Sequence, residues 1–238
     1  MKRQLQGILY YLTTDVRFSL TIFWAILGGL LLLGLIVYFI IGGENATFAF
    51  NFSFPIYVYA GIVGYITVKG VLPYLIRVGA NRINLFIGVV IYFVGLAILN
   101  AVIANVLYST ATTILGPDNG AMFVVTSDDS TFYLHHLADI LENNGWSSRI
   151  IIDASISFFL LIVFFIIGLI FYRYGLIGGF SFVGILIFMF IFGLANGWLV
   201  DFFVNIFSDF SIVFFYQLTL VGFIVYLSSF FLLRRLTI

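Results

Sequence analysis

The sequence predicts an all-α polytopic membrane protein with six transmembrane helices, and three observations predict it. Hydrophobic residues make up 63% of the 238-residue chain and charged residues only 8%, against about 25% charged in a soluble domain. The mean hydropathy is +1.20, and in water such a chain would expose more apolar surface than a stable monomer tolerates. The basic residues also cluster at alternate ends of the apolar stretches, the pattern of a chain that crosses a bilayer repeatedly. Together these features exclude a soluble enzyme, a nucleic-acid binder and a disordered tail. Ten Lys+Arg and ten Asp+Glu cancel, so total charge says nothing about partners. There is no cysteine, hence no disulfide framework, thiolate metal site or thiol nucleophile.

Residues 1–17 read as an amphipathic inner-surface helix. Leu5, Ile8, Leu9 and Leu12 recur at helical spacing, while Lys2, Arg3 and Gln6 can face headgroups. Two roles stay open for it, a basic anchor that sets orientation and a docking element for a partner.

The transmembrane domain, 18–238, is expected to hold spans at 18–42, 54–68, 83–108, 150–172, 174–200 and 211–233, each near the roughly 20 residues a helix needs to cross the hydrocarbon core. The first has no ionisable residue and is followed by no A-x-A-like cleavage site. Its apolar region exceeds the about 7–15 residues of a signal peptide, so it reads as a retained helix. An apolar strand-like stretch, 46–52, precedes the second span. Only Arg173 and Gly175 separate the fourth from the fifth.

With the N-terminus inside, Lys2, Arg3, Arg17, Lys69, Arg77, Arg82, Arg173, Arg234 and Arg235 all fall on the cytoplasmic side. Only Arg149 falls outside, together with Glu44, Asp118, Asp128, Asp129, Asp139, Glu142, Asp201 and Asp209. The positive-inside bias therefore places both termini in the cytoplasm and requires an even number of spans. A bacterial plasma membrane fits this map and the lack of cysteine.

The long outer loop 109–149 opens with turn chemistry at Gly116-Pro117-Asp118-Asn119-Gly120. Ser127-Asp128-Asp129-Ser130 offers N-caps for a short helix over Phe132–Leu141, with Phe132, Leu137 and Leu141 on its apolar face and Trp146 at the interface. The loop 69–82 is the most informative. Gly70 loosens the end of the second span, and Pro73 suits a first helical turn. Gly79 suits the left-handed position that stops a helix, and Asn81 can cap the third span. The expected product is a helix of one or two turns, Pro73–Val78, lying along the inner surface. Flanked by Lys69, Arg77 and Arg82, this apolar knob fits either insertion into a groove on another protein or a connector at headgroup level.

Within this region, Pro73-Tyr74-Leu75-Ile76-Arg77-Val78-Gly79-Ala80-Asn81-Arg82-Ile83-Asn84-Leu85-Phe86-Ile87-Gly88 resembles the cytoplasmic loop of ABC-2 type transporter permeases of Gram-positive bacteria. The matching positions are Pro73, Tyr74, Gly79, Asn81, Arg82, Phe86 and Gly88. The resemblance covers sixteen residues; the chain's size, predicted spans, cytoplasmic termini and amphipathic start are also similar to that group. It implies an ABC-2, type V exporter-like fold whose short loop helix is a coupling helix docked on a separate nucleotide-binding subunit. The implied interface is Lys69, Pro73, Tyr74, Leu75, Arg77, Gly79, Asn81 and Arg82. The chain has no G-x-x-x-x-G-K-[ST] phosphate loop, so it is expected to be a permease rather than an enzyme, binding no cofactor itself. ATP and Mg would sit on a cytoplasmic ABC ATPase present in two copies. A second permease chain, identical or a sister, would complete the transporter within the lipid bilayer. Gly175-x-x-x-Gly179 and Gly193-x-x-x-Gly197 place glycines one turn apart for permease–permease packing. The implied activity is outward export of amphipathic or hydrophobic cargo such as a peptide toxin, a bacteriocin or an antibiotic. The alternatives are a non-transporting scaffold or immunity protein, and an ATP-independent channel or carrier.

Other chemistry is sparse. His135 and His136 are adjacent, so a helix would point them to different faces, and exposed surface is the expected setting. Arg149 and Asp153 stand at i,i+4 and can pair. Asn100, Asn105, Asn196, Asn205 and Gln217 are expected to bond between helices. Phe158, Phe159, Phe164, Phe165, Phe180, Phe182, Phe188, Phe190 and Phe192 would give a greasy path suited to lipid-like cargo.

Overall fold

The computed structural model describes residues 2–41, 48–51, 53–115, 132–135, 145–208 and 211–234. It is almost entirely helical. In chain order the elements are α1 (Lys2–Ile41), strand β1 (Phe48–Asn51), α2 (Ser53–Ile66), a π-helical turn (Thr67–Val71), α3 (Leu72–Arg77), α4 (Arg82–Leu115), β2 (Phe132–His135), α5 (Trp146–Ala195), α6 (Trp198–Ser208) and α7 (Ile212–Arg234). Among the described residues five helices are long and apolar enough to cross a bilayer, which makes the chain a multi-pass helical membrane protein.

Five arise where six were expected because 150–172 and most of 174–200 fall within the 50 residues of α5, which ends at Ala195. That helix is broken internally at Gly175, whose φ of 70° and ψ of −171° are not helical. The break is sharp. The Phe171 and Phe180 rings meet edge to face at 5.4 Å, whereas nine residues of straight helix would separate them by about 13 Å. Gly179 lies against the Phe171 ring so closely that a Cβ there would collide with it.

Other boundaries differ for local reasons. Residues 1–17 are not a separate surface helix but the start of α1, which runs unbroken for 40 residues. The expected apolar face is correct in identity, since Ile8 and Leu12 are buried and Lys2, Arg3 and Gln6 exposed. What it meets is α4, where Ile8 packs on Gly88. The third span was expected to stop at 108 and continues to Leu115. The hydroxyls of Thr110, Thr112 and Thr113 bond back to the carbonyls of Val106 and Ser109, so this polar stretch satisfies its side-chain donors within the helix. Phe132–His135, expected in a helix, forms a strand that pairs in parallel with β1, Phe48 opposite Phe132 and Asn51 opposite His135. Here β-prone residues and a partner strand supply the backbone bonds that an isolated short helix would lack. The strand-like reading of 46–52 holds over Phe48–Asn51. The turn at 116–120, the caps at 127–130, His136, Leu137 and Leu141 lie outside the described residues.

The first arm of α5 is central, packing on α2, α4 and α7, while α1 packs on α4. Phe93, Leu161, Phe165, Leu169 and Tyr226 fill the middle of the core. Leu27, Leu31, Ile56, Ala104 and Tyr108 form a second cluster.

Candidate functional site

The segment from Thr67 to Leu85 is built by three successive local devices. Pro73 has no N–H to donate, and its ring would crowd the carbonyl four residues back in a regular helix. The chain answers with the π turn: the Leu72 N–H donates to the Thr67 carbonyl, five residues earlier, and the flanking dihedrals stay helical. Gly70, expected to loosen the end of the second span, lies within this widened turn, and α2, the π turn and α3 run on continuously to Arg77. The helix stops at Gly79, where φ is 87°. The Ala80 N–H donates to the Leu75 carbonyl and the Gly79 N–H to that of Ile76, each at 3.0 Å. This is the Schellman arrangement, which needs a residue comfortable at positive φ. Asn81 then caps α4, its Oδ1 accepting from the Ile83 N–H at 3.1 Å.

The knuckle so formed has an inner and an outer side. Leu72 and Leu75 are buried, so Leu75, expected in the exposed knob, belongs to the core. Arg82 is half-buried and donates to the Leu233 carbonyl at 3.2 Å and also to that of Arg234. It thus satisfies the carbonyl end of α7, where a cation is favourable. The outward set is Lys69, Tyr74, Arg77, Val78 and Gly79, with Val78 68% exposed. Val78 stands in the short apolar run that the sequence marks as a knob, and its exposure agrees with that reading.

The start of α1 braces this knuckle. The Gln4 side chain donates to the Gly79 carbonyl at 3.2 Å and accepts from Asn84 Nδ2 at 2.5 Å. Tyr11 stacks on Tyr74 with centroids 4.7 Å apart and planes at 18°. The α1 start, the α3–α4 turn and the end of α7 therefore converge at one end of the bundle. Arg3, Arg77, Arg82 and Arg234 belong to these segments.

The helices are tied by polar pairs deeper in. Trp24 Nε1 donates to Asn100 Oδ1 at 3.1 Å, and Asn105 Nδ2 to the Trp146 carbonyl at 2.8 Å. Tyr57 donates to Asp153 at 2.7 Å, placing a fully buried carboxylate between α2 and α5. Arg149 lies over the Tyr108 ring at 4.2 Å. Asn196 bonds back to the Phe192 carbonyl rather than across helices, and Asn205 and Gln217 are exposed. His135 lies opposite Asn51 in the strand pair.

The expected glycine stripes do not form helix faces. Gly175 and Gly197 both have positive φ, 70° and 79°, and mark breaks. Gly179 and Gly193 are covered by Phe171 and Trp198 of the same chain. Close helix approach occurs instead at Gly64, where a Cβ would collide with the Leu161 carbonyl, and at Gly168, where it would lie 3.1 Å from Val68. The small-residue spacing Ala60-x-x-x-Gly64 was a readable signal for the first. The phenylalanines divide rather than converge: Phe158 and Phe165 are core, while Phe164, Phe180, Phe188, Phe190 and Phe192 face outward.

No family model, no curated protein and no solved structure matches the chain.

Proposed function

We propose that the chain is the permease subunit of an ABC-2 type exporter, driven by ATP hydrolysed on a separate subunit. The observation that carries this reading is the capped knuckle at 72–79, which offers Tyr74, Arg77 and Val78 outward from the end of the bundle where basic segments gather. Its likeness to the ABC-2 loop adds to that support. In this reading the two arms of α5 on either side of Gly175 are the fourth and fifth of six spans. Both termini are cytoplasmic, and the membrane is a bacterial plasma membrane.

Two permease chains and two ATPases make the transporter. Closure of the ATPase pair pushes on Tyr74, Arg77 and Val78, and the continuous helix carries the displacement into α2 and, through Tyr57 and Gly64, into α5. The cargo is amphipathic or hydrophobic, of the peptide-toxin, bacteriocin or antibiotic kind, and moves outward. The test is co-purification of the full chain with a soluble ABC ATPase co-expressed from the same genome. Tyr74→Ala and Arg77→Glu should each lower complex recovery and ATPase stimulation about tenfold, the effect of losing one interface hot spot. Unchanged binding and stimulation would refute the reading and favour a scaffold or an ATP-independent channel.

A further inference from the structure

A trough of about 900 Å³ runs along the outside of the bundle between α2 and the two arms of α5. It lies near the upper end of the about 300–1,000 Å³ usual for small-molecule sites. Phe54, Val58 and Ile62 line one wall, Phe164 and Ile167 the second, and Phe180 the part beyond the Gly175 break. Its walls are almost wholly apolar. At one end it continues into a smaller pocket of about 280 Å³, with Tyr65, Phe171 and Leu176 common to both. The smaller pocket is different in character, because Lys69 and Tyr172 line it. Lys69 is exposed, and its side chain makes no hydrogen bond or ion pair with another described residue.

Length and charge together identify the occupant. From Phe54 to Ile66 the trough follows α2 for roughly 18 Å at about 1.5 Å per residue. Half of the roughly 30 Å hydrocarbon core, the reach of an acyl chain in one leaflet, is about 15 Å. An apolar slot long enough for one acyl chain, with Lys69, Tyr65 and Tyr172 lining one mouth, is complementary to an amphiphile with one anionic head. We infer that the trough binds an anionic phospholipid of the leaflet at the Lys69 end, with an acyl chain between α2 and α5 and its phosphate on Lys69. The inference needs the chain to lie in a membrane but does not depend on an ATPase partner, so it can fail while the exporter reading stands, and the reverse.

The test places a reporter in the trough of the full-length chain, reconstituted in vesicles. Val58→Trp, with Phe164→Trp as a second probe should the first not fold, is quenched by phospholipids brominated on their acyl chains. Brominated phosphatidylglycerol and brominated phosphatidylcholine are compared after subtracting the parent's own tryptophan signal. Half-maximal quenching should need about fivefold less phosphatidylglycerol than phosphatidylcholine, the preference one Lys near an anionic surface supplies. Lys69→Gln should bring the ratio to about one, and Ile224→Trp on the exposed side of α7 should show no preference. Equal quenching by both lipids, or a preference that survives Lys69→Gln, would overturn the inference. So would the absence of quenching at both trough positions, which would mean that protein, a second copy included, fills the slot.

Discussion

Gly64 offers the sharpest test of the packing. It sits where α2 crosses α5, and a Cβ built on it would overlap the Leu161 carbonyl oxygen, a backbone atom held in the helix of α5. Such a contact cannot be relieved by a rotamer change. Carbon needs about 3.5 Å from its neighbours, so Gly64→Ala must drive the two helices apart by roughly an ångström. The same displacement loosens Gly61 against Phe164 and Gly168 against Val68, close approaches at which a Cβ on either glycine would lie 3.1 Å from its neighbour. Overpacking of this kind costs about 1–3 kcal/mol. Gly95 is the matched control: it lies within α4 with nothing within 4 Å of its Cβ position, and alanine there gains about 0.5–1 kcal/mol of helix stability. Thermal unfolding of the purified full chain in detergent should therefore show Gly64→Ala several degrees below the parent and Gly95→Ala at or above it. Equal melting of Gly64→Ala and the parent would refute the close α2–α5 crossing.

Three further outcomes follow from the same geometry. Gly79→Ala forces a β-carbon into the left-handed region at about 1–2 kcal/mol, while Gly79→Asn should cost less; protease cleavage rates at Arg77 should rise in the order parent, Asn, Ala. Gln4→Leu removes the partner of buried Asn84 and should cost about 1–3 kcal/mol, read as a lower unfolding midpoint that Asn84→Ala in the same chain partly restores. For Tyr57 and Asp153, Tyr57→Phe strips a donor from a buried carboxylate and should destabilise more in the parent than in the Asp153→Leu background, and a double-mutant cycle measures the coupling.

What could be read from the sequence was what local chemistry decides. Gly79 and Asn81 were legible because a Schellman stop and an Asn cap depend on a few neighbouring residues, and both form where the spacing places them. The last span, expected at 211–233, is found at Ile212–Arg234. What could not be read depends on distant partners. The strand at Phe132–His135 exists because Phe48–Asn51 lies beside it, and the burial of Leu75 depends on what packs over α3. Arg82 looked like a surface cation beside a docking knob, yet its carbonyl partners stand about 150 residues further along the chain. The glycines show the same division: Gly175 stands at the expected boundary between the fourth and fifth spans and is a break, whereas spacing alone did not mark Gly197 as one.

The π turn at Thr67–Val71 holds one residue more than a regular helix would at that point. Each residue of an α-helix advances the chain by about 100° around its axis. Were the widened turn to expel or take up a residue, the side chains of Tyr74 and Arg77 would swing through that angle relative to the trunk of α2, with little change in length. The extra residue thus fixes which side chains beyond it meet the bundle: Leu72 and Leu75 turn inward while Tyr74 and Arg77 look outward.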